Sequence, residues 1–428
     1  MNKKTIRDIN VTGKKVLVRC DFNVPLKDGE ISDDNRIVAA IPTIEYLVNH
    51  GAKVILCSHL GRPKGEVNEK YSLKPVAVRL AEKLGKEVKL AKDVVGEDSK
   101  QIAQNLQNGE VMLLENVRFD SREEKNEESL STELASLIGK DGIYVNDAFG
   151  TAHRAHSSTE GISHHVDTSV AGLLIEKEVT ELGKVIENPE KPFIAILGGA
   201  KVSDKIGVIE NLLKKVDKII VGGAMANTFL KAKGYDIGSS IYEADKLEEA
   251  SRLMKEATDK NVEIVLPVDA YTAKLAEGTE FTVENLETAE HKEVTLYTQA
   301  ELEQGKGESI EGLTILEIGE KTLKLYEEKL KGAKAICWNG PLGYSEAPSF
   351  ANGTEKLANT IAETDAKCVI GGGDSVAAIK KVKKKAIENG KTEAEFNNIY
   401  LSTGGGASLE FLEGKDLPGI SALENLSK

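Results

Sequence analysis

The sequence predicts an α/β protein with two domains, each built on a parallel β-sheet. Three observations lead to this prediction. The chain has 428 residues, more than a single hydrophobic core usually supports. Short apolar runs alternate with amphipathic stretches of helical period, which is the pattern of βαβ units. Most of the runs end in polar or glycine-rich loops, and ligands bind at that end of the strands in parallel sheets.

In the first half, four apolar runs have the length of buried strands, and polar or basic residues follow each of them. Amphipathic stretches at 37–50 and 73–84 lie between the runs and predict the connecting helices. The four predicted strands are Val16–Val18, Lys53–Cys57, Val111–Leu114 and Ile143–Val145.

A connecting helix is predicted from Ser169 to Asn188, at the point where the composition of the chain changes. An apolar stripe runs along this stretch, and Pro189 and Pro192 end it. Eight of the nine arginines precede residue 155, whereas the second half carries its positive charge almost wholly on lysine. Because arginine binds carboxylate and phosphate in a planar, bidentate way and lysine does not, the two halves are expected to bind different anions.

The second half repeats the alternation, and four of its six strand ends carry double or triple glycine. Glycine costs backbone entropy but allows a ligand to approach the main chain closely. A bound polyphosphate explains this density, although neither a P-loop nor a dinucleotide-binding glycine motif is present. The six predicted strands are Phe193–Leu197, Lys218–Val221, Glu263–Leu266, Ala333–Cys337, Lys367–Ile370 and Ile399–Leu401.

The stretch Phe193–Gly207 shows the pattern most clearly, since a strand ends in Gly198-Gly199 and two lysines follow. If the chain is helical from Ala200, Lys201 and Lys205 share one face and reach a single phosphate cluster. The alternative is an ordinary strand–turn–helix with two solvated lysines.

Composition excludes several functional classes. The net charge of −13 argues against nucleic-acid binding. No apolar run has the length of a membrane span, and the first residues lack the apolar core of a signal peptide. Scattered cysteines without a C-x-x-C pair predict reduced thiols, so a cytoplasmic location is expected.

The stretch 276–312 is rich in Glu and Thr and gives the weakest pattern. We predict a hairpin around Thr279–Thr298 and a loop near Gln304–Glu311. Earlier in the chain, His153 and His156 have the spacing of helical metal ligands, but Arg154 between them favours a role facing an anion.

Taken together, the motifs resemble those of phosphoglycerate kinases over essentially the whole chain. No single motif would identify the family, but eight in the same order are specific. They are V-L-V-R-C-D-F-N-V-P (16–25), S-H-L-G-R-P (58–63), E-N-V-R-F (115–119), N-D-A-F-G-T-A-H-R-A-H (146–156), L-G-G-A-K-V-S-D-K (197–205), W-N-G-P (338–341), G-G-G-D-S (371–375) and S-T-G-G-G-A-S (402–408).

The resemblance implies two Rossmann-like domains joined by the 169–188 helix, with a central cleft that closes during catalysis. Residues 1–168 would bind 3-phosphoglycerate or 1,3-bisphosphoglycerate, with 408–428 packing back on them. Residues 189–407 would bind ADP or ATP with Mg²⁺. The expected protein is a cytoplasmic monomer whose partners are these small molecules, without nucleic acid or membrane.

The resemblance also implies the site residues. Those for the phosphoglycerate are Asp21, Asn23, Arg36, His59, Arg62, Arg118 and Arg154. Those for the nucleotide are Lys201, Lys205, Gly222, Asn339, Pro341, Glu346, Gly371, Gly372, Gly373, Asp374 and Ser375, with Asp374 holding the metal and Glu346 the ribose. The residues implied to act on the transferring group are Arg36, Lys201, Lys205 and Gly405.

The chain departs from the family pattern near the expected adenine site. Where the family reads G-L-D, this chain has Ile315-Leu316-Glu317, and G-V-F-E is replaced by Gly343-Tyr344-Ser345-Glu346. The segment before Glu317 also looks longer than usual. Two alternatives stay open, another small-molecule carboxylate kinase and a catalytically silent nucleotide-binding or adhesion protein of the same fold.

Overall fold

A six-stranded parallel sheet forms the centre of the N-terminal part of the chain. The structure is a computed structural model that describes residues 1–426. The strands and helices of this part are β1 (Lys15–Arg19), β2 (Leu26–Lys27), β3 (Glu30–Ile31), α1 (Asn35–Asn49), β4 (Lys53–Cys57), α2 (Lys74–Leu84), β5 (Val88–Leu90), α3 (Glu97–Asn105), β6 (Val111–Leu113), α4 (Glu128–Ile138), β7 (Ile143–Asn146), β8 (Thr168–Ala171) and α5 (Leu173–Ile186). The sheet order is β5-β6-β4-β1-β7-β8, and β2 pairs with β3 separately.

The central strand β1 is buried on both faces, which explains its continuous apolar sequence. Helix α1 packs Ile37, Ile44 and Leu47 into the same core. The chain runs from β1 to β4 on one side and later to β7 on the other. Such a reversal of strand order opens a crevice beyond the carboxyl ends of the strands, where ligands bind in this class of fold.

The predicted helix from Ser169 to Asn188 is wrong at its start. Residues 168–171 are a strand that pairs in parallel with β7, and Val170 is buried in the sheet rather than on a helix stripe. Helix α5 begins after Gly172, where a Cβ would overlap the carboxylate of Asp147. The Asp147 Oδ1 accepts a hydrogen bond from the amide of Leu174 at 2.9 Å and so caps the first turn.

A second six-stranded parallel sheet, in the order β11-β10-β9-β15-β16-β17, follows α5. Trp338, fully buried in β15, lies in the core of this sheet. The elements of this part are β9 (Phe193–Leu197), α6 (Ile206–Leu212), β10 (Lys218–Val221), α7 (Met225–Ala232), α8 (Leu247–Asp259), β11 (Glu263–Val265), β12 (Asp269–Lys274), α9 (Val283–Thr288), β13 (Glu290–Thr295), α10 (Gln299–Glu303), β14 (Thr314–Ile318), α11 (Glu320–Leu330), β15 (Ala335–Asn339), α12 (Asn352–Ala362), β16 (Lys367–Gly371), α13 (Gly373–Glu388) and β17 (Ile399–Leu401).

The stretch 276–312 belongs to a separate antiparallel sheet of order β13-β12-β14. The predicted hairpin within Thr279–Thr298 is therefore wrong, because β13 pairs with β12, which precedes that range. Helix α9 lies between the paired strands and buries Leu286 beneath them. Residues 304–311 form a loop, as predicted.

The last part of the chain returns to the first sheet through α14 (Gly406–Leu412) and α15 (Pro418–Ser421). The amide of Lys4 donates to the carbonyl of Glu424 at 2.9 Å. Unit 1 thus comprises Met1–Thr180, Gly406–Phe411 and the chain from Lys415, and unit 2 comprises Glu181–Gly405 with Leu412–Gly414. Of the segment 408–428 expected on the first domain, residues 427 and 428 lie outside the described residues.

The thiols of Cys20, Cys57, Cys337 and Cys368 are buried and unpaired, as predicted. Burial raises the pKa of Cys57 and of Cys337 to about 12, so both are unreactive thiols at neutral pH. None of the helices in residues 1–426 combines the length and the apolar character that crossing a bilayer requires.

Candidate active site

The predicted anion-binding residues of unit 1 all lie near the carboxyl edge of its sheet. Asp21 follows β1, His59 follows β4, Arg118 follows β6 and Arg154 follows β7. Since these strands are parallel neighbours, their carboxyl ends open at one edge. The fold therefore collects residues that are far apart in sequence.

Arg36 anchors one side of this edge from the first turn of α1. Its Nη1 donates to Asp21 Oδ1 at 3.0 Å and to the carbonyl of Asn23 at 3.2 Å. The side-chain oxygen of Asn23 in turn accepts from the amide of Gly61 at 2.9 Å. These bonds hold the loops after β1 and β4 together and bring Asp21, Asn23 and Arg36 into one cluster.

Arg118 is the most incompletely satisfied residue of the edge. Its side chain is only 4 % exposed, and its Nη1 donates to the carbonyl of Gly61 at 2.9 Å. Its Nε and Nη2 are buried without a hydrogen-bond partner. The nearest carboxylate, on Glu124, is 3.6 Å from Nε, which is too long for a hydrogen bond. A buried guanidinium with two unused donors fits an anion that completes its hydrogen bonds.

His59 is buried beside Arg19, whose Nη2 lies 3.2 Å from His59 Nδ1. Burial lowers the pKa of His59 well below its usual value, and the surrounding arginines lower it further. The same causes lower the pKa of His156 to about 4. Both rings are therefore neutral at pH 7 and add no positive charge to that of the arginines.

Arg19 was not among the predicted site residues, although it stands two residues before Asp21 in the first motif. It is fully buried, and its Nε donates to Ser158 Oγ at 2.8 Å. Ser158 also donates its amide to the buried carboxylate of Glu123 at 3.0 Å. A fully buried arginine cannot be inferred from sequence, because the residue type is normally exposed.

Arg62 and Arg154 are exposed and, within residues 1–426, make no side-chain hydrogen bond or ion pair. They lie in the loops that carry His59 and His156, where a ligand could recruit them. In the described part of the chain, no group of three or more His, Cys, Asp or Glu side chains that could hold a metal ion occurs at His153 and His156 or elsewhere.

The site of unit 2 begins where β9 and β15 end side by side. The amide of Gly198 donates to the carbonyl of Asn339 at 2.9 Å, and that of Gly199 donates to Pro341 at 3.0 Å. A Cβ on Gly198 would overlap the carbonyl oxygen of Pro341, so the two loops approach more closely than any side chain allows.

The prediction that Lys201 and Lys205 share a helical face is wrong, because α6 begins only at Ile206. Buried Val202 lies between the two lysines and holds the loop against the unit. Lys201 is exposed, whereas Lys205 is 6 % exposed and its Nζ donates to Asn339 Oδ1. Burial lowers the pKa of Lys205 to about 8. The Nδ2 of Asn339 is buried without a partner beside it.

The loop after β16 leads directly into α13. Gly372 has a φ of 83°, which favours glycine, and the first-turn amides of Gly373, Asp374 and Ser375 follow. Such amides have no partner within their own helix and suit a phosphate. The hydroxyl of Ser375 is already used, since it accepts from Gly340 at 3.1 Å and donates to Gly371 at 2.7 Å.

Two further predicted glycines, Gly222 and Gly405, follow β10 and β17 in the same sheet. The amide of Gly222 donates to Leu197 at 2.9 Å, and a Cβ there would overlap Leu342. Gly222 thus allows close packing, and its amide is not available to a ligand. Gly405, in the loop after β17, is exposed with a φ of 51°.

A pocket of about 310 Å³ opens in unit 2 beside these loops. Of the predicted residues, Pro341, Glu346 and Asp374 line it. Ile315 also lines it. The lining that sequence reasoning missed is mainly apolar and includes Leu230, Ile241, Phe281, Leu342 and Tyr344.

Glu317, one of the departures from the family pattern, lies buried in the pocket wall. It accepts hydrogen bonds from the amides of Ile318 at 2.8 Å and Gly353 at 3.0 Å. Burial raises the pKa of Glu317 to about 8. Its two oxygens are thus used to hold β14 against the start of α12.

Comparison with known proteins agrees with this geometry. The family model described as phosphoglycerate kinase matches residues 6–415. The phosphoglycerate kinase of Clostridium tetani is 52% identical over 429 residues, covering 99% of this chain and 98% of that protein. That of Clostridium botulinum (strain Alaska E43 / Type E3) is 53% identical over 428 residues, covering 99% of each. The solved phosphoglycerate kinase from Coxiella burnetii is 39% identical with a TM-score of 0.81, and that from Pyrococcus horikoshii OT3 is 34% identical with a TM-score of 0.79; each comparison covers 98% of both chains.

Proposed function

Because the chain belongs to the phosphoglycerate kinase family, we propose that unit 1 binds the phosphoglycerate and that unit 2 binds the nucleotide. The reaction is the reversible transfer of a phosphoryl group from 1,3-bisphosphoglycerate to ADP, which gives 3-phosphoglycerate and ATP. The observation that carries the assignment of unit 1 is Arg118, a buried guanidinium with two unpartnered donors.

In unit 1, the small acid would be held by charge-assisted hydrogen bonds. Arg118 offers Nε and Nη2, while exposed Arg62 and Arg154 are free to turn toward a phosphate or carboxylate. Asp21 and Asn23, which already bind Arg36 and Gly61, would meet the glycerate hydroxyl end. Neutral His59 can donate or accept one hydrogen bond without adding charge.

In unit 2, the nucleotide would place its base in the apolar pocket and its phosphates on the glycine loops. The phosphates would bind the amides at the start of α13 and the ammonium groups of Lys201 and Lys205. Glu346, at the pocket rim, would accept from the ribose.

Asp374 is the residue proposed to hold Mg²⁺ together with the nucleotide phosphates. It lines the pocket, is exposed, and makes no side-chain hydrogen bond or ion pair within residues 1–426. A single carboxylate suits this metal, which keeps several waters and takes its other ligands from phosphate. When bound, Mg²⁺ neutralises phosphate charge.

The chemistry needs little covalent help from the protein. A carboxylate oxygen of 3-phosphoglycerate forms a bond to the γ-phosphorus of ATP as the bond to the bridging oxygen of ADP breaks, and no proton is transferred. Catalysis is therefore alignment and charge neutralisation. Arg36 in unit 1, Lys201 and Lys205 in unit 2, and the amide of Gly405 are the groups proposed to stabilise the spread negative charge.

We also propose that the enzyme is a cytoplasmic monomer. Four buried, unpaired thiols fit a reducing compartment. The net charge of −13 fits small-molecule substrates better than nucleic acid.

The test is an assay of ATP formation from ADP, with 1,3-bisphosphoglycerate and, as competing donor, acetyl phosphate. We expect ATP from 1,3-bisphosphoglycerate alone, whereas a different carboxylate kinase would use the other donor. Arg36→Ala and Lys201→Ala should each lower kcat by about 100-fold or more, because each removes a preorganised charge that acts in the transition state. An unchanged kcat with a raised KM would contradict these catalytic roles.

A further inference from the structure

Tyr344 and Glu346 form a polar pair at the rim of the nucleotide pocket. Both residues line the pocket, and the Tyr344 hydroxyl donates to Glu346 Oε2 at 3.0 Å. Glu346 is otherwise exposed, and within residues 1–426 this is its one side-chain hydrogen bond. The pair is a feature of this chain, since the family pattern G-V-F-E has no hydroxyl at the position of Tyr344.

Tyr344 is itself held in place on two sides. Its amide donates to the carbonyl of Leu316 at 2.7 Å, which ties the loop to β14. Its ring meets Phe281 edge-on, with centroids 5.4 Å apart and an interplanar angle of 70°. Such aromatic pairs stabilise a defined ring orientation. The Tyr344 hydroxyl therefore has a fixed position. Without a hydrogen bond to it, the exposed side chain of Glu346 would sample many rotamers.

Fixing Glu346 matters because ordering a free glutamate side chain costs conformational entropy. The Tyr344 hydroxyl removes part of this cost before a ligand arrives. It occupies Oε2 and leaves Oε1 as an acceptor without a hydrogen bond in residues 1–426, on a side chain that lines the pocket. The hydrogen bond to Glu346 also raises the pKa of Tyr344, so the hydroxyl stays a donor at neutral pH.

We propose that Tyr344 is a positioning residue that presents Glu346 to the ribose hydroxyls, and that this pair makes the pocket select ribonucleoside diphosphates over their deoxy analogues. The inference rests on the proposed binding of the ribose by Glu346. Phe281, from the stretch between β12 and β13, acts as the apolar brace of the pair.

Tyr344→Phe removes only the hydroxyl and is the decisive variant. Kinetics are measured with ADP and with 2′,3′-dideoxy-ADP, which offers Glu346 no ribose hydroxyl. We expect the KM for ADP to rise about fivefold, as for the partial loss of one charge-assisted hydrogen bond. The KM for the dideoxy analogue and both kcat values should stay close to those of the parent enzyme. Glu346→Gln should show the same pattern with a larger rise for ADP.

Phe281→Leu changes the apolar lining of the pocket as well as the brace of Tyr344, so, unlike Tyr344→Phe, it should raise the KM for both nucleotides. If Tyr344→Phe weakens both nucleotides equally, its role is structural and the inference is overturned. If Glu346→Gln discriminates between the nucleotides and Tyr344→Phe does not, the inference fails while the ribose assignment stands. If Glu346→Gln does not discriminate, the ribose assignment fails too, but ATP formation from ADP by the parent enzyme still supports the proposed reaction.

Discussion

At the site of unit 1, Arg19 and Arg118 are buried beside the exposed Arg62 and Arg154, whereas in unit 2 the charged groups are mostly exposed. Arg19, His59 and Arg118 are each at most 4 % exposed, and loop hydrogen bonds fix them. Lys201 and Asp374 of unit 2 are exposed and, in the described chain, unpartnered. The same type of sheet thus supports two designs, a cationic site with buried arginines and a glycine-lined surface, and we propose that the first binds the small acid and the second the polyphosphate.

The proposed ligands would account for this difference. A three-carbon acid offers few atoms for recognition, so its binding energy has to come from planar guanidinium groups fixed in advance. A nucleotide offers an apolar base and a chain of phosphates. Backbone amides and an apolar pocket can hold these parts, while exposed side chains supply additional charge.

The largest expected effect tests the rigid design of unit 1. Arg118→Met should raise the dissociation constant of 3-phosphoglycerate by about 100-fold or more, as expected for removing one member of a buried charged pair. The dissociation constant of ADP should not change. Because the free protein loses two unpaired buried donors, its melting temperature should stay the same or rise.

Calorimetric titration with each ligand separately, together with thermal unfolding, measures these quantities. Arg79→Met is the matched control, since Arg79 pairs with Asp34 and Glu82 on the same unit and is not among the proposed site residues. Equal weakening of both ligands by Arg118→Met would show that the two designs are not separate.

A second, smaller effect concerns the one buried lysine of unit 2. The pKa of Lys205 is lowered to about 8, so its amine loses charge as the pH rises through that value. If the ammonium form binds phosphate, the KM for ADP should rise by about tenfold per pH unit above pH 8. Lys205→Arg should flatten this dependence, because arginine keeps its charge.

The free energy of unfolding of the free protein should increase over the pH range in which the affinity for ADP decreases. Since the folded pKa of Lys205 lies below the unfolded value of 10.5, its buried charge destabilises the fold below about pH 8. This penalty should decrease as the pH rises from 8 toward 10.5. A KM for ADP that is flat between pH 7 and 9.5 in the parent enzyme would contradict the role of Lys205 and leave unit 1 as the one site with buried functional charge.

Sequence predicted all six strands of the second sheet, because most of them are uninterrupted apolar runs. It missed two of the six strands of the first sheet, the half-buried edge strand β5 and β8, which lies within the predicted helix. It failed where a tertiary contact decides the local structure. Val170 fits a helical stripe as well as a strand, and only the cap by Asp147 fixes where α5 begins. Lys201 and Lys205 have helical spacing, but the residues before Ile206 form a bend and a turn instead of a helix. Val202 and Lys205 are both buried there.

The candidate site shows the same limit. The motif arginines and glycines were identified as residue types whose chemistry suits anions, and their loops do meet at the sheet edges. The apolar pocket wall was missed, since Ile241 and Phe281 look like ordinary hydrophobic residues in sequence. Their exposure, 59% and 43%, becomes meaningful only beside a pocket that can accept a base.

The smallest expected effect tests how strictly unit 2 recognises its base. Ile315 lines the pocket with a branched side chain where the family pattern has glycine, and its amide is held by Ser240 Oγ at 2.8 Å. The base should therefore be displaced from the usual position, while the phosphates stay on the glycine loops.

An apolar pocket rejects a changed ring edge poorly. We expect GDP and IDP to support turnover within about tenfold of ADP, which corresponds to roughly 1.4 kcal/mol. Comparison of kcat/KM for the three nucleotides measures this, and Ile315→Gly should increase the preference for ADP. A thousandfold preference for ADP in the parent enzyme would contradict the role given to Ile315. It would show that unit 2 is as selective for its base as unit 1 is expected to be for its acid.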